Sequence, residues 1–267
     1  MVAGLSGAGV LRVSDSAQTG FGRVQYVMVE GRRRVRRHPL APEPARLLGS
    51  DAETELEAHR LAAHAGLAPA IMAVEPSGRW LDMEAVVGHA LPEGWLETRA
   101  GCHQLLDVLA QLGAIRCEQL PTVCVSSRCR QLHAHLAKRD ALRARRTEAR
   151  VKALAAQSFG VADGLVHGDL HAQNVLIRPE TGRWCLLDWE YAHRGHALED
   201  LAGVLADHPD QLTALEQGRG ELAIALREAD WSISMVDLRA AVALRSLLNE
   251  LWTDLYTLLQ IPPTTLE

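Results

Sequence analysis

The chain has 267 residues, of which 48% are hydrophobic and 23% charged, and its formal net charge of −5 gives no reason to expect a nucleic-acid partner. Its amino terminus lacks a basic stretch ahead of an apolar one, and charged residues interrupt the apolar segment 234–260, so we expect neither a signal peptide nor a membrane span. The five cysteines are irregularly spaced, which argues against a disulfide framework and favours a cytoplasmic location.

The sequence up to about residue 83 has the pattern of short strands with one helix among them. Strands are predicted at 10–13, 24–29, 33–38, 71–74 and 80–87. Glu30 and Gly31 are predicted to form the tight turn between the second and third strands. The helix is predicted at 51–65, because apolar residues recur there at helical spacing and Gly66 follows.

Beyond about residue 98 the pattern is mainly helical. Long helices are predicted at 99–118, 127–157, 210–228 and 234–259. This asymmetry predicts an α+β protein in two lobes, with a small β-rich amino-terminal lobe at residues 1–84 and a larger, mainly helical lobe at residues 85–267.

Residues 165–190 form the most informative segment of the chain. His167, Asp169 and Asn174 precede a short apolar strand; a Pro-Glu-Thr-Gly turn and a second apolar strand then lead to Asp188. A hairpin with this layout brings the side chains of Asp169, Asn174 and Asp188 to one end. Their oxygen atoms are the hard ligands that Mg²⁺ prefers.

This pattern, H-x-D-x-x-x-x-N followed by D-W-E, resembles the aminoglycoside phosphotransferase and choline/thiamine kinase family. The spacing of its first part is also that of the protein-kinase catalytic loop. The resemblance implies a protein-kinase-like fold that uses ATP and Mg²⁺ to phosphorylate a small molecule. In that scheme Asp169 is the catalytic base, Asn174 and Asp188 hold the metal, and His167 braces the catalytic loop by hydrogen bonding.

The resemblance also implies that Asp200 ties the catalytic loop together from a downstream position. A plain helix N-cap is the alternative interpretation of this residue.

A kinase of this kind needs a cation on the nucleotide phosphates, usually a lysine of the third strand paired with a glutamate of the next helix. The first lysine of this chain is Lys138, so an arginine must take that role. Arg37 resembles the arginine that lies just before a proline in choline/thiamine-kinase-like sequences. Because side chains alternate between the two faces of a strand, Arg37 is predicted to share the core-facing side with Val35, whereas Arg36 is predicted to lie on the other side. Glu55 is the predicted partner, in competition with Glu53 and Glu57.

The remaining nucleotide contacts are implied by the same resemblance. Met83, Glu84 and Ala85 lie where the lobes join, and their backbone groups are predicted to contact adenine. Gly4, Gly7 and Gly9 could let backbone N–H groups approach the phosphates, or could belong to a flexible terminus.

The acceptor is less defined by the sequence. Glu190 follows the metal aspartate closely, and Trp252 and Tyr256 share one face of the last predicted helix. Aromatic rings beside carboxylates suit a cationic alcohol such as thiamine, choline or an aminosugar, although aromatic residues at helical spacing are also common in cores. The sequence Asp-Trp-Glu-Tyr at positions 188–191 resembles choline or thiamine kinases more than aminoglycoside-modifying kinases.

Two other interpretations stay open. The absence of lysine from the amino-terminal lobe is compatible with a pseudokinase that binds a ligand without turnover. The run from Gly168 to His171 also resembles the G-D-x-H element of metal-dependent phosphoesterases, but the companion G-N-H pattern is missing, so we rank this hydrolase lowest.

Overall fold

The computed structural model describes residues 16–19, 22–39, 42–76, 78, 80–157 and 163–259. The strand predicted at 10–13 and the glycines Gly4, Gly7 and Gly9 lie outside these residues. The predicted α+β class is confirmed, because a small antiparallel sheet precedes a mainly helical part. None of the helices in the described part of the chain combines the length and apolarity that crossing a bilayer requires.

The amino-terminal sheet has five antiparallel strands in the order β1-β2-β3-β5-β4. They are β1 Ser16–Thr19, β2 Gly22–Val29, β3 Arg32–Pro39, β4 Ile71–Val74 and β5 Leu81–Glu84. The predictions for β2, β3 and β4 are confirmed, β5 is shorter than predicted, and β1 was not predicted. Glu30 and Gly31 both have positive φ, 52° and 74°, which is the geometry of a two-residue hairpin loop.

The register of this sheet decides which side chains share a face. Val35 of β3 is paired with Tyr26 of β2 on one side and with Met83 of β5 on the other, so these three residues lie on one face. Arg37, two residues after Val35, lies on the same face, whereas Arg36 lies on the opposite face. The alternation predicted from the sequence is therefore confirmed.

Two helices connect β3 to β4. Helix α2, Ala52–His64, agrees with the prediction and begins at Asp51, whose side chain accepts a hydrogen bond from the Thr54 N–H at 3.1 Å. Helix α1, Pro42–Leu48, was not predicted.

The carboxyl-terminal part contains seven further helices among the described residues. They are α3 Arg99–Ala114, α4 Val125–Arg139, α5 Ala141–Leu154, α6 Leu198–Asp207, α7 Pro209–Glu216, α8 Gly220–Glu228 and α9 Met235–Leu259. The single helix predicted at 127–157 is wrong, because Asp140 leaves helical geometry and caps α5. The helix predicted at 210–228 is also divided, since Gly218 and Gly220 have positive φ.

Two small sheets support the segment 165–190. Strand β7, Gly164–Val166, pairs with β10, His193–Gly195. Strands β8, Val175–Ile177, and β9, Trp184–Leu186, form the predicted hairpin, and β6, His89–Ala90, pairs with β8.

The core is divided into two clusters. The larger one joins α2, α3, α6 and α8 to the small sheets and includes the fully buried Trp189. The second joins α4, α5 and α9 and also takes in Ala45 and Leu48 of α1. Helix α1 therefore belongs to the amino-terminal sequence but packs on the carboxyl-terminal helices.

Strand β7 approaches α3 closely, and this contact predicts an asymmetry between two glycines. A Cβ at Gly164 would lie 2.7 Å from the Cα of Gly113, whereas a Cβ at Gly113 would meet nothing within 4 Å. We expect Gly164→Ala to destabilise the protein by about 1–3 kcal/mol through overpacking, and Gly113→Ala to be neutral or stabilising by up to about 1 kcal/mol. Urea unfolding of both variants tests this, and equal midpoints would contradict the close approach.

Candidate active site

The loop after β7 is fixed by its own backbone and by His167. Gly168 has φ +80°, and a Cβ there would collide with the Tyr191 carbonyl, so the position requires glycine. His167 is fully buried; its Nε2–H donates to the Leu187 carbonyl at 2.9 Å, and its Nδ1 accepts from the Asp169 N–H at 3.2 Å. One ring nitrogen thus bonds within the loop, and the other joins the loop to the segment after β9.

Asp200 holds the same loop from helix α6. Its carboxylate accepts hydrogen bonds from the N–H groups of His167 at 2.8 Å and Gly168 at 2.9 Å, and it is 2% exposed. Ala197, not Asp200, is the N-cap of α6, so the interpretation of Asp200 as a plain helix cap is wrong.

Asp169 is held at both of its carboxylate oxygens. Oδ1 lies 2.8 Å from Nη2 of Arg245, and Oδ2 lies 3.3 Å from Nε2 of His171 and from Nδ2 of Asn174. Burial raises the pKa of Asp169, but the His171 hydrogen bond and the Arg245 charge outweigh it and lower the pKa to about 2. The carboxylate is therefore ionised and its orientation is defined.

Arg245 is a residue that the sequence did not single out. It lies on α9, pairs with Asp169 and also donates to the Gly168 carbonyl. An arginine on an amphipathic helix normally suggests a solvated face. Nothing in the local pattern distinguishes it, because its partners lie more than 70 positions earlier in the chain.

Arg37 is buried among three carboxylates that come from two separate segments. It pairs with Glu55 of α2, with Asp188 at 2.9 Å and with Glu190 at 3.2 Å, and it is 6% exposed. Burial lowers the pKa of Arg37, but the charges of Glu55, Asp188 and Glu190 outweigh that effect and raise it. The predicted pairing of Arg37 with Glu55 is present in the structure; Glu190, predicted to face the acceptor, also belongs to this cluster.

Asp188 adopts an unusual backbone conformation. Its φ is +64°, in the left-handed region that non-glycine residues rarely occupy. Arg37 holds its side chain, and the next residue, Trp189, is completely buried. Backbone strain of this kind costs on the order of 1–3 kcal/mol and is found preferentially at functional sites.

The segment predicted to contact adenine lies at the end of β5. Met83 lies on the face of the sheet that carries Arg37, and Ala85 begins an irregular stretch after β5. The Glu84 N–H donates to the Ala70 carbonyl at 2.8 Å, and its carboxylate binds Arg178 through bonds of 2.8 and 3.0 Å. The contact of these three residues with adenine stays a prediction.

A cavity of about 880 Å³ opens beside the catalytic loop. Its lining includes Asp169, Asp188 and Glu190, together with one face of α9 that carries Arg245 and Trp252. Trp252 Nε1 donates to the Tyr191 hydroxyl at 2.9 Å, so two aromatic rings form part of the wall.

Tyr256 does not belong to this wall. It stacks on Trp252 at a centroid distance of 4.8 Å and is not among the residues that line the cavity. The acceptor contact of Tyr256 stays a prediction, and its observed partner is the ring of Trp252. Tyr191, which the sequence analysis did not assign to the site, lines the cavity instead.

The sequence model of the phosphotransferase enzyme family matches residues 20–232, which include every residue of the catalytic loop and of the Arg37 cluster. The chain belongs to the phosphotransferase enzyme family. The family resemblance carried by the catalytic loop is thereby confirmed. No curated protein sequence matches this phosphotransferase significantly.

Solved structures place this phosphotransferase in the protein-kinase-like fold. A choline/ethanolamine kinase family protein from Mesorhizobium loti is 20% identical with a TM-score of 0.64, covering 95% of this chain and 81% of its own. Choline kinase LicA from Streptococcus pneumoniae is 16% identical with a TM-score of 0.66, covering 96% and 89%; it has also been solved in complex with AMP. An aminoglycoside-3'-phosphotransferase of type VIII is 22% identical with a TM-score of 0.58, covering 90% and 92%. At these identities the likeness shows the fold alone.

The Arg37 cluster predicts a difference between neighbouring arginines. Arg37→Lys keeps the charge but loses the planar fork that contacts several oxygens, so we expect the KM for MgATP to rise about tenfold or more. Arg36 lies on the opposite face and binds the buried Asp82 at 2.6 and 2.8 Å. Arg36→Ala should therefore lower thermal stability and leave that KM nearly unchanged. Steady-state kinetics and thermal melting test this. Equal changes in KM for the two variants would show that the nucleotide phosphates do not depend specifically on Arg37.

The contact between Arg245 and Asp169 predicts a loss confined to turnover. Arg245→Ala frees one side of the Asp169 carboxylate, and we expect kcat to fall about 10²-fold because a small displacement of a reacting group has effects of this size. The KM for MgATP should not change. Arg239→Ala is the matched control, because Arg239 lies on the same helix and pairs with Glu216 at the surface. Equal kcat values for the two variants would contradict the assignment.

Proposed function

We propose that this phosphotransferase is a small-molecule kinase that transfers the γ-phosphate of ATP to a hydroxyl group of a cationic acceptor of the thiamine, choline or aminosugar type. One observation carries the proposal. Asp188 and Glu190, which pair with the buried Arg37, line the same cavity as the doubly held Asp169, so a charge proposed to bind phosphate and a candidate base lie beside one space for an acceptor.

The residues present fit a magnesium ion. One guanidinium faces the carboxylates of Glu55, Asp188 and Glu190, which leaves the cluster with excess negative charge that a divalent cation would balance. Asn174 donates its amide N–H to the Asp169 carbonyl at 2.9 Å, so its amide oxygen is the atom left for a cation. Asp188 and Asn174 would hold the ion, which when bound would neutralise charge on the phosphates.

The protein residues have distinct parts in the proposed transfer. Asp169 orients the acceptor hydroxyl and takes its proton as the oxygen bonds to the γ-phosphorus. The bond between that phosphorus and the β,γ-bridging oxygen breaks, and ADP leaves. Arg37 offsets charge on the phosphates, and His167 and Asp200 keep the loop in place. Catalysis in this scheme is mostly positioning and charge neutralisation.

The same proposal includes the arrangement of the nucleotide. Residues 1–84 would form the nucleotide-binding lobe and residues 85–267 the catalytic and acceptor-binding lobe. Met83 would face the adenine from the sheet, and the backbone from Ala85 onward would supply polar contacts. This assignment rests on the sheet register and on the irregular stretch after β5.

The acceptor side is supported by the composition of the cavity wall. Trp252 and Tyr191 present aromatic rings near carboxylates, which suits a cation. The cavity volume of about 880 Å³ is large for a compact amino alcohol and lies within the range of drug-sized ligands. This observation favours a second candidate, an aminoglycoside-modifying kinase.

ATP consumption with Mg²⁺ across thiamine, choline, ethanolamine, aminosugars and aminoglycosides tests the proposal. A pseudokinase would bind MgATP and consume none of it with any acceptor.

The proposal predicts that two aspartates of the site affect different steps, one turnover and the other nucleotide binding. Asp169→Asn removes the base, so kcat should fall about 10²-fold or more while calorimetry shows unchanged MgATP binding. Asp188→Ala removes a charged oxygen ligand, so Mg²⁺-dependent nucleotide binding itself should be lost. Near-normal turnover of Asp169→Asn would overturn the mechanism.

A further inference from the structure

Arg128 differs from the other arginines of the site in its surroundings. It lies in the first turns of α4, is partly buried and lines the 880 Å³ cavity. Its Nη2 donates to the Leu47 carbonyl at 2.7 Å and its Nη1 to the Gln131 side chain at 3.4 Å. Both partners are neutral.

Three other enclosed arginines have carboxylate partners. Arg37 faces three carboxylates, Arg245 pairs with Asp169, and Arg178 pairs with Glu84. Within the described part of the chain, no carboxylate forms an ion pair with Arg128. Burial lowers the pKa of Arg128, and the groups that act against this effect, Tyr191 and Cys129, are not carboxylates. A guanidinium that is partly withdrawn from water without a counter-charge is costly unless an anion arrives to pair with it.

The cavity is consequently divided by charge. Its carboxylates come from the catalytic loop, from the segment after β9 and from α6, namely Asp169, Asp188, Glu190, Glu199 and Asp207. The α4 side has Arg128 with the neutral Ser127 and Gln131. A molecule that fills this space can meet acidic groups, aromatic rings and, on the α4 side, a guanidinium.

We propose that Arg128 forms an anion-binding subsite of the acceptor cavity, so that the preferred acceptor carries a carboxylate or phosphate group in addition to its cationic group and its reacting hydroxyl. This inference rests on the proposed function and narrows its acceptor class to zwitterionic hydroxy compounds. Guanidinium is well suited to this role because its fork of N–H donors matches carboxylate and phosphate oxygens.

A latch is the structural alternative for Arg128. The Leu47 carbonyl belongs to the end of α1, and a Cβ at Gly49 would lie 2.7 Å from the Arg128 Nη2, so the side chain joins α1 to α4. A latch of this kind needs a hydrogen-bond donor and no charge. Arg128→Gln keeps amide donors and removes the charge, so it separates the two roles.

The test uses pairs of related acceptors in which one member carries an additional anionic group. These are choline and carnitine, ethanolamine and serine, and glucosamine and glucosamine 6-phosphate. We expect the wild-type kcat/KM to be about tenfold or more higher for the anionic member of a pair, the size expected of a charge-assisted hydrogen bond. The first two pairs report on a carboxylate and the third on a phosphate.

Arg128→Gln should abolish that preference while leaving the KM for MgATP unchanged. Arg139→Gln is the matched control, because Arg139 lies on the same helix, is exposed, donates to the His135 carbonyl of that helix and is not among the residues that line the cavity. It should keep the wild-type preference. Calorimetric titration with carnitine and choline provides a readout that does not depend on turnover.

Equal or better use of the unmodified member in every pair would overturn the subsite and leave the kinase proposal standing. If Arg128→Gln kept the preference for the anionic acceptors, the subsite would likewise be overturned and Arg128 would have only the structural role of joining α1 to α4. Absence of ATP consumption with all acceptors would count against the proposed function. In that case calorimetry still decides on the subsite. Equal affinities of the wild type for carnitine and choline would overturn it. It would be supported if the wild type bound carnitine more tightly than choline and Arg128→Gln did not.

Discussion

The burial of one guanidinium among three carboxylates is the interaction on which the arrangement of this protein depends. Arg37 comes from the amino-terminal sheet, Glu55 from the first turn of α2, and Asp188 and Glu190 from the segment after β9. An unpaired charge at this depth would be costly, so the cluster forms only when sheet, helix and hairpin are placed together. The same ion pairs join strand β3 and helix α2 to the segment after β9.

The catalytic loop is held by a different principle, in which distant helices each supply one side chain. Asp200 of α6 binds two loop N–H groups, and Arg245 of α9 binds a loop carbonyl and the carboxylate of Asp169. His167 bonds within the loop through Nδ1 and bonds the Leu187 carbonyl of the segment after β9 through Nε2. A reacting group held from several directions has little freedom to move, which is how a rigid scaffold can supply positioning.

In the proposed function the loop and the cavity wall have separate parts. Asp169 and Asp188 would define where the phosphoryl group is transferred, while α4 and α9 supply further parts of the cavity wall through residues such as Arg128 and Trp252. The proposal therefore depends on the loop for the reaction and on the cavity wall for the choice of acceptor.

The sequence by itself determined the family, the α+β class, most of the elements and the residues of the catalytic loop, because these depend on short spacings and on two-residue or helical periodicity. It also placed Arg37 on the correct face, since alternation along a strand is a local property. The tertiary structure alone placed Arg245, Arg128 and Tyr191 at the cavity, divided the helix at Asp140 and joined Glu84 to Arg178, because each depends on contacts or capping geometry that periodicity does not encode. Tyr256 illustrates the same limit: helical spacing puts it on one face with Trp252, but only packing decides which residue of that face lines the cavity.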